Sequence, residues 1–353
     1  SCCCASSWAI RKNGIKDTRA AFTTTLKTER GNRVFPVSDS AADIVDALHG
    51  YARSRARILH GRASELMTDN GKVIGVRTED GEEIYAESVI IATGGLSYPG
   101  TGSTGDGYEL AKQAGHNITE LVPSLVPLEI HEGFCSDLMG LSLRNTAIKV
   151  IDTESGKTIY TDFGEMLFTH FGVSGPMILS ASAHMRNMKS GKYRICIDLK
   201  PALSEEQLDA RILRDFSENI NRNYINALNS LLPKKLVPVI VKLSRIPLTT
   251  KVNQITKEQR QNLVQLLKNL CITVTGFRPV AEAIITSGGV DVAQINPKTM
   301  ESKLVEGLYF AGEVIDADAY TGGFNLQIAF STGRLAGISA AEKIIENREY
   351  DYE

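Results

Sequence analysis

Near the end of the chain, glycines and acids follow an apolar run, in an arrangement suited to holding a polar or anionic ligand. Leu308–Ala311 predicts a buried strand that leads into Gly312 and Glu313, with Asp316 just beyond. A helix N-terminus offers free N–H donors and partial positive charge. Asp316 is a candidate acceptor for hydroxyl groups, and the alternative is a strand–loop–helix connection that needs glycine only for steric reasons. The residues expected to open the following helix and line this site are Gly322, Gly323, Phe324, Asn325, Leu326 and Gln327.

A similar junction occurs earlier, where the β-branched run Ser88–Ala92 predicts a second buried strand. The strand ends in Ala92, Thr93, Gly94 and Gly95. In open α/β sheets, ligands bind beyond the carboxyl ends of strands, and glycine allows the backbone to approach them closely. This junction is therefore a candidate ligand loop, and a plain tight turn is the alternative.

The segment Gly100–Gly105 has the formal pattern G-x-G-x-x-G, but it does not predict a dinucleotide fingerprint. That fingerprint starts directly at a strand end, whereas Gly95–Pro99 separates this loop from its strand. The loop does precede a predicted helix, so its N–H groups can face an anionic or polar group. The candidate binding residues are Gly102, Thr104, Gly105 and Asp106, and the alternative is a helix-capping loop with Asp106 as an ordinary N-cap.

Three side chains are candidates for proton transfer: His170, Tyr98 and Glu313. A single histidine is more often structural than catalytic, and this alternative applies to His170.

The sequence contains no nucleophile elbow, no HExxH motif and no Walker A loop, and adjacent Cys2–Cys4 do not suit a tetrahedral metal. We therefore expect no metal site. Cys196 and Cys271 lie in apolar runs and are expected to be small core residues.

Composition places the chain among ordinary globular proteins. It has 353 residues and a formal net charge of −2, from 39 basic and 41 acidic residues. No basic tail stands out, and the pair Lys234-Lys235 is interpreted as a solvated helix face, so we expect no nucleic-acid partner. No apolar run reaches the length of about 18 residues that spans a bilayer, and no secretory signal is recognisable. We expect a cytoplasmic protein that acts on a small molecule and has no membrane partner.

The order of predicted elements favours an α/β fold interrupted by a large insertion. Asn70-Gly71 predicts a hairpin between strands at Glu65–Met67 and Val73–Thr78. Strands then alternate with turns over residues 124–200, and helices dominate residues 203–268. A strand and a long helix close the chain, so the sequence predicts one α/β domain in two parts.

These motifs, in this order, resemble the YhiN/BaiN-like flavoproteins, a family of FAD-dependent oxidoreductases that includes aminoacetone-oxidase-like enzymes. The resemblance covers about Leu26 to Ala341. Besides the glycine-bearing segments above, it rests on three further motifs, which are Glu29–Pro36, Gly164–Gly172 and Pro297–Lys303.

The resemblance implies a Rossmann-like FAD-binding domain split by a β-barrel-like insertion and a helical subdomain. It implies that Ala92–Gly95, Gly312–Asp316 and Gly323–Gln327 line the flavin. It implies oxidation or reduction of a small amine, ketone or unsaturated ring, with NAD(P)H as a candidate electron donor. The expected boundaries are 1–24 for an unmatched segment, 25–123 and 288–353 for the FAD-binding domain, 124–202 and 269–287 for the insertion, and 203–268 for the helical subdomain.

The sequence departs from the family pattern at its start, where the strand, fingerprint and helix that hold the pyrophosphate are not recognisable. The expectation is that the chain binds FAD weakly or not at all unless another chain supplies that unit. Two further hypotheses remain open at this point. One is a truncated, catalytically inactive fragment that serves as a binding module, and the other is a nicotinamide-only dehydrogenase that uses Gly100–Gly105.

Overall fold

The structure is a computed structural model that describes residues 10–11, 24–29 and 32–350. Most of the segment expected to be unmatched, residues 1–24, and part of the Glu29–Pro36 motif lie outside these residues. The chain forms two compact units. The first contains residues 1–124 and 279–353, and the second contains residues 125–278.

The first unit is an α/β unit built from short sheets. An antiparallel sheet with the order β1-β3-β2 contains β1 (Ile10–Arg11), β2 (Leu26–Glu29) and β3 (Arg33–Pro36). A second antiparallel sheet contains β4 (Ala63–Asp69), β5 (Lys72–Thr78) and β6 (Glu83–Tyr85). The remaining strands form two pairs, β7 (Val89–Ile91) parallel with β16 (Leu308–Phe310), and β8 (Val122–Ser124) antiparallel with β15 (Ile285–Ser287). The helices of eight or more residues in this unit are α1 (Ala41–Arg53), α2 (Asp106–Gln113) and α9 (Phe324–Tyr350).

The hairpin between β4 and β5 confirms the prediction from Asn70-Gly71. Both residues adopt the left-handed conformation, with φ of 47° at Asn70 and 79° at Gly71. A two-residue turn of this kind matches the twist of the flanking strands. The turn chemistry therefore sets the register in which Asp69 pairs with Lys72.

The core of the first unit gathers around the parallel pair β7 and β16. Leu308 and Phe310 are fully buried, and Tyr108 of α2 and Val314 pack in the same cluster. Parallel strands are normally buried on both faces, and β16 has this character along its whole length. Core packing therefore fixes the two strands that carry the candidate ligand loops.

The second unit contains a closed six-stranded barrel and several helices. The strand order is β10-β11-β12-β9-β14-β13. The strands are β9 (Leu128–Ile130), β10 (Ser142–Asp152), β11 (Thr158–Phe168), β12 (Gly172–Ser174), β13 (Tyr193–Asp198) and β14 (Leu270–Phe277). The helices are α3 (Phe134–Asp137), α4 (Pro176–Ser182), α5 (Glu205–Ser217), α6 (Tyr224–Ala227), α7 (Val237–Ser244) and α8 (Lys257–Lys268).

Capping chemistry fixes the starts of α5 and α8. Ser204 accepts the backbone N–H of Gln207, whose side chain accepts the N–H of Ser204 in return. Thr256 and Gln259 form the same reciprocal arrangement. These capping boxes satisfy N–H groups that an uncapped helix would leave without partners.

The structure confirms the predicted fold class, an α/β split Rossmann-like domain interrupted by a barrel and helices. The return boundary needs correction, since residues 269–287 were all expected to belong to the insertion. The second unit ends at Arg278, and Ile285–Ser287 pairs with Val122–Ser124 in the first unit. The hydrogen bonds of β15 therefore assign it to the domain that encloses the insertion.

Cys196 and Cys271 correct another expectation. They are directly opposite each other on the antiparallel strands β13 and β14, and their sulfur atoms form a disulfide. On β13, Ile195 and Ile197 are fully buried on one face of the strand, and Cys196 lies on the opposite face. The two cysteines are therefore bonded to each other and are not separate core residues.

Among the described residues, no helix is long and apolar enough to cross a membrane. A search of the same residues finds no group of three or more His, Cys, Asp or Glu side chains arranged to hold a metal ion.

Replacing Gly107 by alanine should destabilise the protein, although alanine favours helices. A Cβ at Gly107 would lie 2.9 Å from Ile91 and 3.0 Å from Val314, and would also overlap the Thr93 hydroxyl. Overpacking of this kind costs about 1–3 kcal/mol. The matched control is Gly50→Ala in α1, where a Cβ meets no atom within 4 Å and should stabilise by about 1 kcal/mol. Urea unfolding measures both, and equal shifts in the two variants would contradict the packing argument.

Replacing both Cys196 and Cys271 by serine should destabilise the oxidised protein. The disulfide closes a segment with a sequence separation of 75 residues, and such cross-links typically contribute about 2–4 kcal/mol. Urea unfolding without reductant should show this loss, and dithiothreitol should bring the parent protein to the level of the variant. Equal stabilities without reductant would show that the bond does not form in the purified protein.

Candidate functional site

The candidate loops of the first unit leave the same edge of one parallel strand pair. Ile91 is the register partner of Phe310, and the N–H of Ala311 donates to the carbonyl of Ile91 over 3.0 Å. Ala92–Gly95 and Gly312–Glu313 therefore begin side by side at the carboxyl ends of β7 and β16. This is the edge at which open α/β sheets bind ligands.

The carboxylate of Glu313 joins three segments at this edge. Its Oε1 accepts the backbone N–H of Thr286 at 2.7 Å and the hydroxyl of Ser97 at 3.3 Å. The Thr286 hydroxyl in turn accepts the N–H of Leu96 at 2.8 Å. Burial raises the pKa of Glu313 most, and the hydrogen bonds from Thr286 and Ser97 oppose this shift. One oxygen of Glu313 is therefore committed to positioning the loop after Gly95.

Gly95 is required by this arrangement. A Cβ at Gly95 would lie 2.5 Å from Glu313 Oε1 and 2.5 Å from Thr286 Oγ1. No side chain fits there unless the carboxylate moves. The approach of this backbone to a ligand stays a prediction, and the structure shows that the glycine allows close approach to Glu313.

The start of α9 lies at the same edge. Gly322 and Gly323 have φ of 110° and 89°, a backbone conformation that other residues rarely adopt. The N–H of Gly312 donates to the hydroxyl of Thr332 in α9 over 2.9 Å, which ties the helix to the loop after β16. The glycine pair therefore permits the turn that leads into the helix.

Two candidate residues in the first turn of α9 have different surroundings. The Asn325 side chain both accepts from the N–H of Ala319 and donates to its carbonyl, each at 2.8 Å, so it holds the preceding loop. The Gln327 side chain donates to Ser331 at 2.9 Å, and its buried Oε1 has no hydrogen-bond partner among the described residues. Gln327 therefore retains a free acceptor, while both ends of the Asn325 amide are occupied.

Asp316 and Asp318 differ in role. The backbone N–H of Asp316 donates to Val290 over 3.0 Å, and its side chain is half-buried. Asp318 accepts from Ser287 at 2.9 Å and from Ser124 at 3.3 Å, so it fixes the β8–β15 pair. The sequence analysis missed Asp318, because only the fold brings these two serines to it.

The loop Gly100–Gly105 leads directly into α2. Gly105 is the N-cap residue, and Asp106 is the first helical residue, so the alternative of Asp106 as N-cap is wrong. The Arg62 guanidinium binds both Asp106 oxygens, at 2.7 and 2.6 Å, and lowers the pKa of this carboxyl. Thr104 donates its N–H to Gly102 at 3.1 Å. Gly102, Thr104 and Gly105 thus form a compact turn, and Asp106 is an ion-pair partner.

Tyr108 is a residue that the sequence analysis did not select. It is only 2% exposed, and its hydroxyl has no hydrogen-bond partner among the described residues. Burial raises its pKa most, and the negative charges of Glu313 and Asp316 add to this effect. A buried hydroxyl without a partner is uncommon, so the Tyr108 hydroxyl is a candidate hydrogen-bond donor to a ligand. It lies close enough to two of the candidate acids for their charges to act on it. Its position two residues after Asp106, inside an apolar helix face, gave no signal in the sequence.

The remaining candidates for proton transfer occupy different units. Tyr98 has a left-handed backbone, with φ of 51°, and lies in the loop after β7 in the first unit. His170 lies in the second unit, on the turn between β11 and β12, where it is exposed and its ring contacts Phe171 edge-on at 4.9 Å. The structure thus brings Glu313 into contact with the predicted glycine loop, and the proton-transfer roles of Tyr98 and His170 stay predictions.

Comparison with known families gives one match over most of the chain. The model of the HI0933-like protein Rossmann domain matches residues 11–339. The match begins at residue 11, so the expectation that residues 1–24 lie wholly outside the family pattern is wrong for residues 11–24.

Three characterised proteins are similar to the chain. The 3-dehydro-bile acid delta(4,6)-reductase of Clostridium scindens is 30% identical over 317 residues, which cover 89% of this chain and 76% of that protein. The ribosomal RNA dihydrouridine synthase of Escherichia coli is 31% identical over 295 residues, or 83% of this chain and 70% of that protein. The enzyme of the same name from Haemophilus influenzae is 34% identical over 281 residues, or 79% and 66%.

Two solved structures of Aquifex aeolicus GidA, in crystal forms II and I, are also similar. They are 13% and 10% identical, and the matches cover 95% and 93% of this chain. The chain spans about half their length, 53% and 54%, and the TM-scores are 0.37 and 0.38.

The resemblance inferred from the glycine-bearing motifs is confirmed by these comparisons. The family model covers most of the chain, and relatives at 30–34% identity are enzymes. The chain belongs to the HI0933-like family of FAD-dependent flavoprotein oxidoreductases.

Proposed function

We propose that this chain is an FAD-dependent reductase that adds hydrogen across a carbon–carbon double bond of an unsaturated ring. One observation carries the proposal. All three characterised relatives are named for such a reduction or its product, although one acts on a bile acid and two on ribosomal RNA. Among the classes expected from the sequence, an unsaturated ring is therefore favoured over an amine or a simple ketone.

The two kinds of substrate share one chemical feature. Dihydrouridine forms when the ring double bond of uridine, which is conjugated to a carbonyl, is reduced. A 3-oxo bile acid with double bonds at positions 4 and 6 also has a carbon–carbon double bond conjugated to a carbonyl. A hydride donor and a proton donor suffice for either reaction, so one type of site suits both.

The carboxyl edge of β7 and β16 has features that fit a bound flavin. The free Oε1 of Gln327 can accept a ring N–H, and the Tyr108 hydroxyl can donate to a polar ligand atom. The first turn of α9 directs backbone N–H groups outward, since the first bond back into the preceding loop comes from the N–H of Gln327 to Gly323. These groups suit an electron-rich ring that gains negative charge.

The chain's own residues would bind and orient the cofactor, which supplies the hydride when reduced. Glu313 acts as a positioning residue, because its Oε1 holds the segment Leu96–Ser97 through Thr286. The N-terminus of α9 favours negative charge nearby. Tyr98 and His170 remain the proposed proton handlers, and NAD(P)H is the proposed source of electrons.

The purified chain should bind FAD and show a flavin absorbance spectrum, either as isolated or after FAD is added. Under anaerobic conditions, NADPH or NADH should bleach that spectrum, and a uridine-containing RNA fragment or a 4,6-dien-3-one steroid should restore it. Mass spectrometry should then find two hydrogen atoms added to the substrate. A colourless protein that ignores added FAD would contradict the proposal for this chain and favour the hypothesis of an inactive binding module.

Replacing Glu313 by alanine should weaken both folding and FAD binding. The Thr286 N–H, which is buried with its residue, would lose its acceptor, a loss that costs about 1–3 kcal/mol. Glu313→Gln is the matched control, because its amide oxygen can still accept that N–H. Urea unfolding and FAD titration measure the two effects, and equal losses in both variants would contradict the positioning role.

The two variants should also differ from the parent protein in their dependence on pH. Burial raises the folded-state pKa of Glu313 above its ordinary value. The contribution of this carboxyl to stability is thus largest at low pH and declines as the pH rises through the raised pKa. Glu313→Gln cannot titrate, so its stability relative to the parent should rise across that pH range. A constant difference between the two would contradict this assignment.

A further inference from the structure

One stretch of the second unit carries basic residues and no acids. Residues 219–257 contain no Asp or Glu, although 41 acids over 353 positions would place four or five in a stretch this long. We call residues 219–257 the basic segment. Its seven basic residues are Arg222, Lys234, Lys235, Lys242, Arg245, Lys251 and Lys257.

All seven side chains of the basic segment are exposed. None of them is within ion-pair distance of an acid in the part of the chain that the structure describes; Lys235 and Lys251 donate to backbone carbonyls. Other cations of the same unit are paired, such as Arg260 with Asp209 and Lys268 with Asp198. The positive charge of the basic segment is therefore not neutralised within the unit.

Exposed cations lie on α7 and at both of its ends. Lys242 is on the exposed side of the helix, Lys235 lies two residues before its first residue, and Arg245 is its C-cap residue. The opposite side, with Val237 and Ile240, is buried in the barrel unit's core. The apolar side is therefore unavailable to insert into a membrane, and the exposed side offers cations.

A second group of cations lies beyond the end of α7. The N–H of Val252 donates to the carbonyl of Arg222 over 3.1 Å, and Asn223 forms a bridge with Lys251. Arg222 and Lys251 are therefore neighbours, although 29 positions separate them in the sequence. Acids flank the basic segment only at its ends, at Glu218 and Glu258.

We propose that the basic segment binds the phosphate backbone of RNA. Unpaired, exposed lysines and arginines release counterions when they contact phosphates, which drives such binding. Six asparagines in the same segment, Asn219, Asn221, Asn223, Asn226, Asn229 and Asn253, add neutral groups suited to sugar and phosphate contacts. This inference rests on the proposed function and deepens it, because it makes the unsaturated ring a uracil within RNA.

The expectation of no nucleic-acid partner came from the whole-chain charge of −2. That value averages the basic segment with acid-rich parts of the chain. The pair Lys234-Lys235, interpreted as a solvated helix face, belongs to a larger set of exposed cations. Local charge, taken with exposure and the absence of ion pairs, gives the opposite expectation.

The test is RNA binding by fluorescence anisotropy, with a labelled single-stranded RNA of about 20 nucleotides that contains uridine. The variant Lys234→Gln, Lys242→Gln, Arg245→Gln should bind at least about tenfold more weakly at moderate salt. The slope of its plot of log Kd against log salt concentration should be smaller by about 2. Each phosphate contact with a single strand contributes about 0.7 to this slope, and the variant lacks three cations. The control Lys149→Gln, Lys157→Gln, Lys298→Gln removes three exposed lysines elsewhere and should bind like the parent protein.

Three results would overturn the proposal: no RNA binding by the parent protein, equal losses in the two triple variants, or equally tight binding to phosphatidylserine vesicles. Equal urea midpoints would show that both variants are folded. The binding assay needs neither FAD nor turnover, so it can fail while flavin reduction by NADPH succeeds, and the reverse. The RNA surface and the proposed reductase activity are therefore tested separately.

Discussion

A single carboxylate oxygen organises the site edge of the first unit. Oε1 of Glu313 accepts from the backbone of Thr286 and from the hydroxyl of Ser97, and so joins the loops that follow β7 and β16 to the strand β15. Because a buried polar group without a partner costs free energy, these contacts depend on one another. Gly95 has no side chain for the same reason, since any Cβ would occupy the space of that oxygen. The shape of this edge therefore depends on the hydrogen bonds that the carboxylate of Glu313 accepts.

The glycines around this edge serve two different physical needs. Gly322 and Gly323 supply a backbone conformation that side chains disfavour, whereas Gly107 supplies space against Ile91 and Val314. In the sequence, a glycine needed for its backbone conformation cannot be distinguished from one needed for its small size. Only the structure separates a conformational requirement from a packing requirement, and the two respond differently to substitution.

Local signals in the sequence predicted local structure well. Asn70-Gly71 specified its hairpin, because turn chemistry acts on neighbouring residues. Contacts between distant segments left no such signal, as with Asp318 and its serines or with Cys196 and Cys271. The glycine-bearing strand ends were predicted to line one ligand, and the structure places two of them side by side at the ends of β7 and β16. The role of Glu313 as an internal acceptor depended on Thr286, which is 27 positions away.

The pairing of β8 with β15 has a consequence for how this fold is assembled. Ser124 is the register partner of Ile285, so the chain leaves the first unit and, after residues 125–278, returns to an adjacent position of the same antiparallel ladder. In topological terms, the whole barrel unit occupies the loop of a β-hairpin. The free-energy cost of closing a loop rises by only about 0.6 kcal/mol for each doubling of its length. The ladder therefore tolerates a long insertion between its two strands. Evolution can therefore exchange or remodel the barrel unit without rebuilding the sheet edge that precedes and follows it.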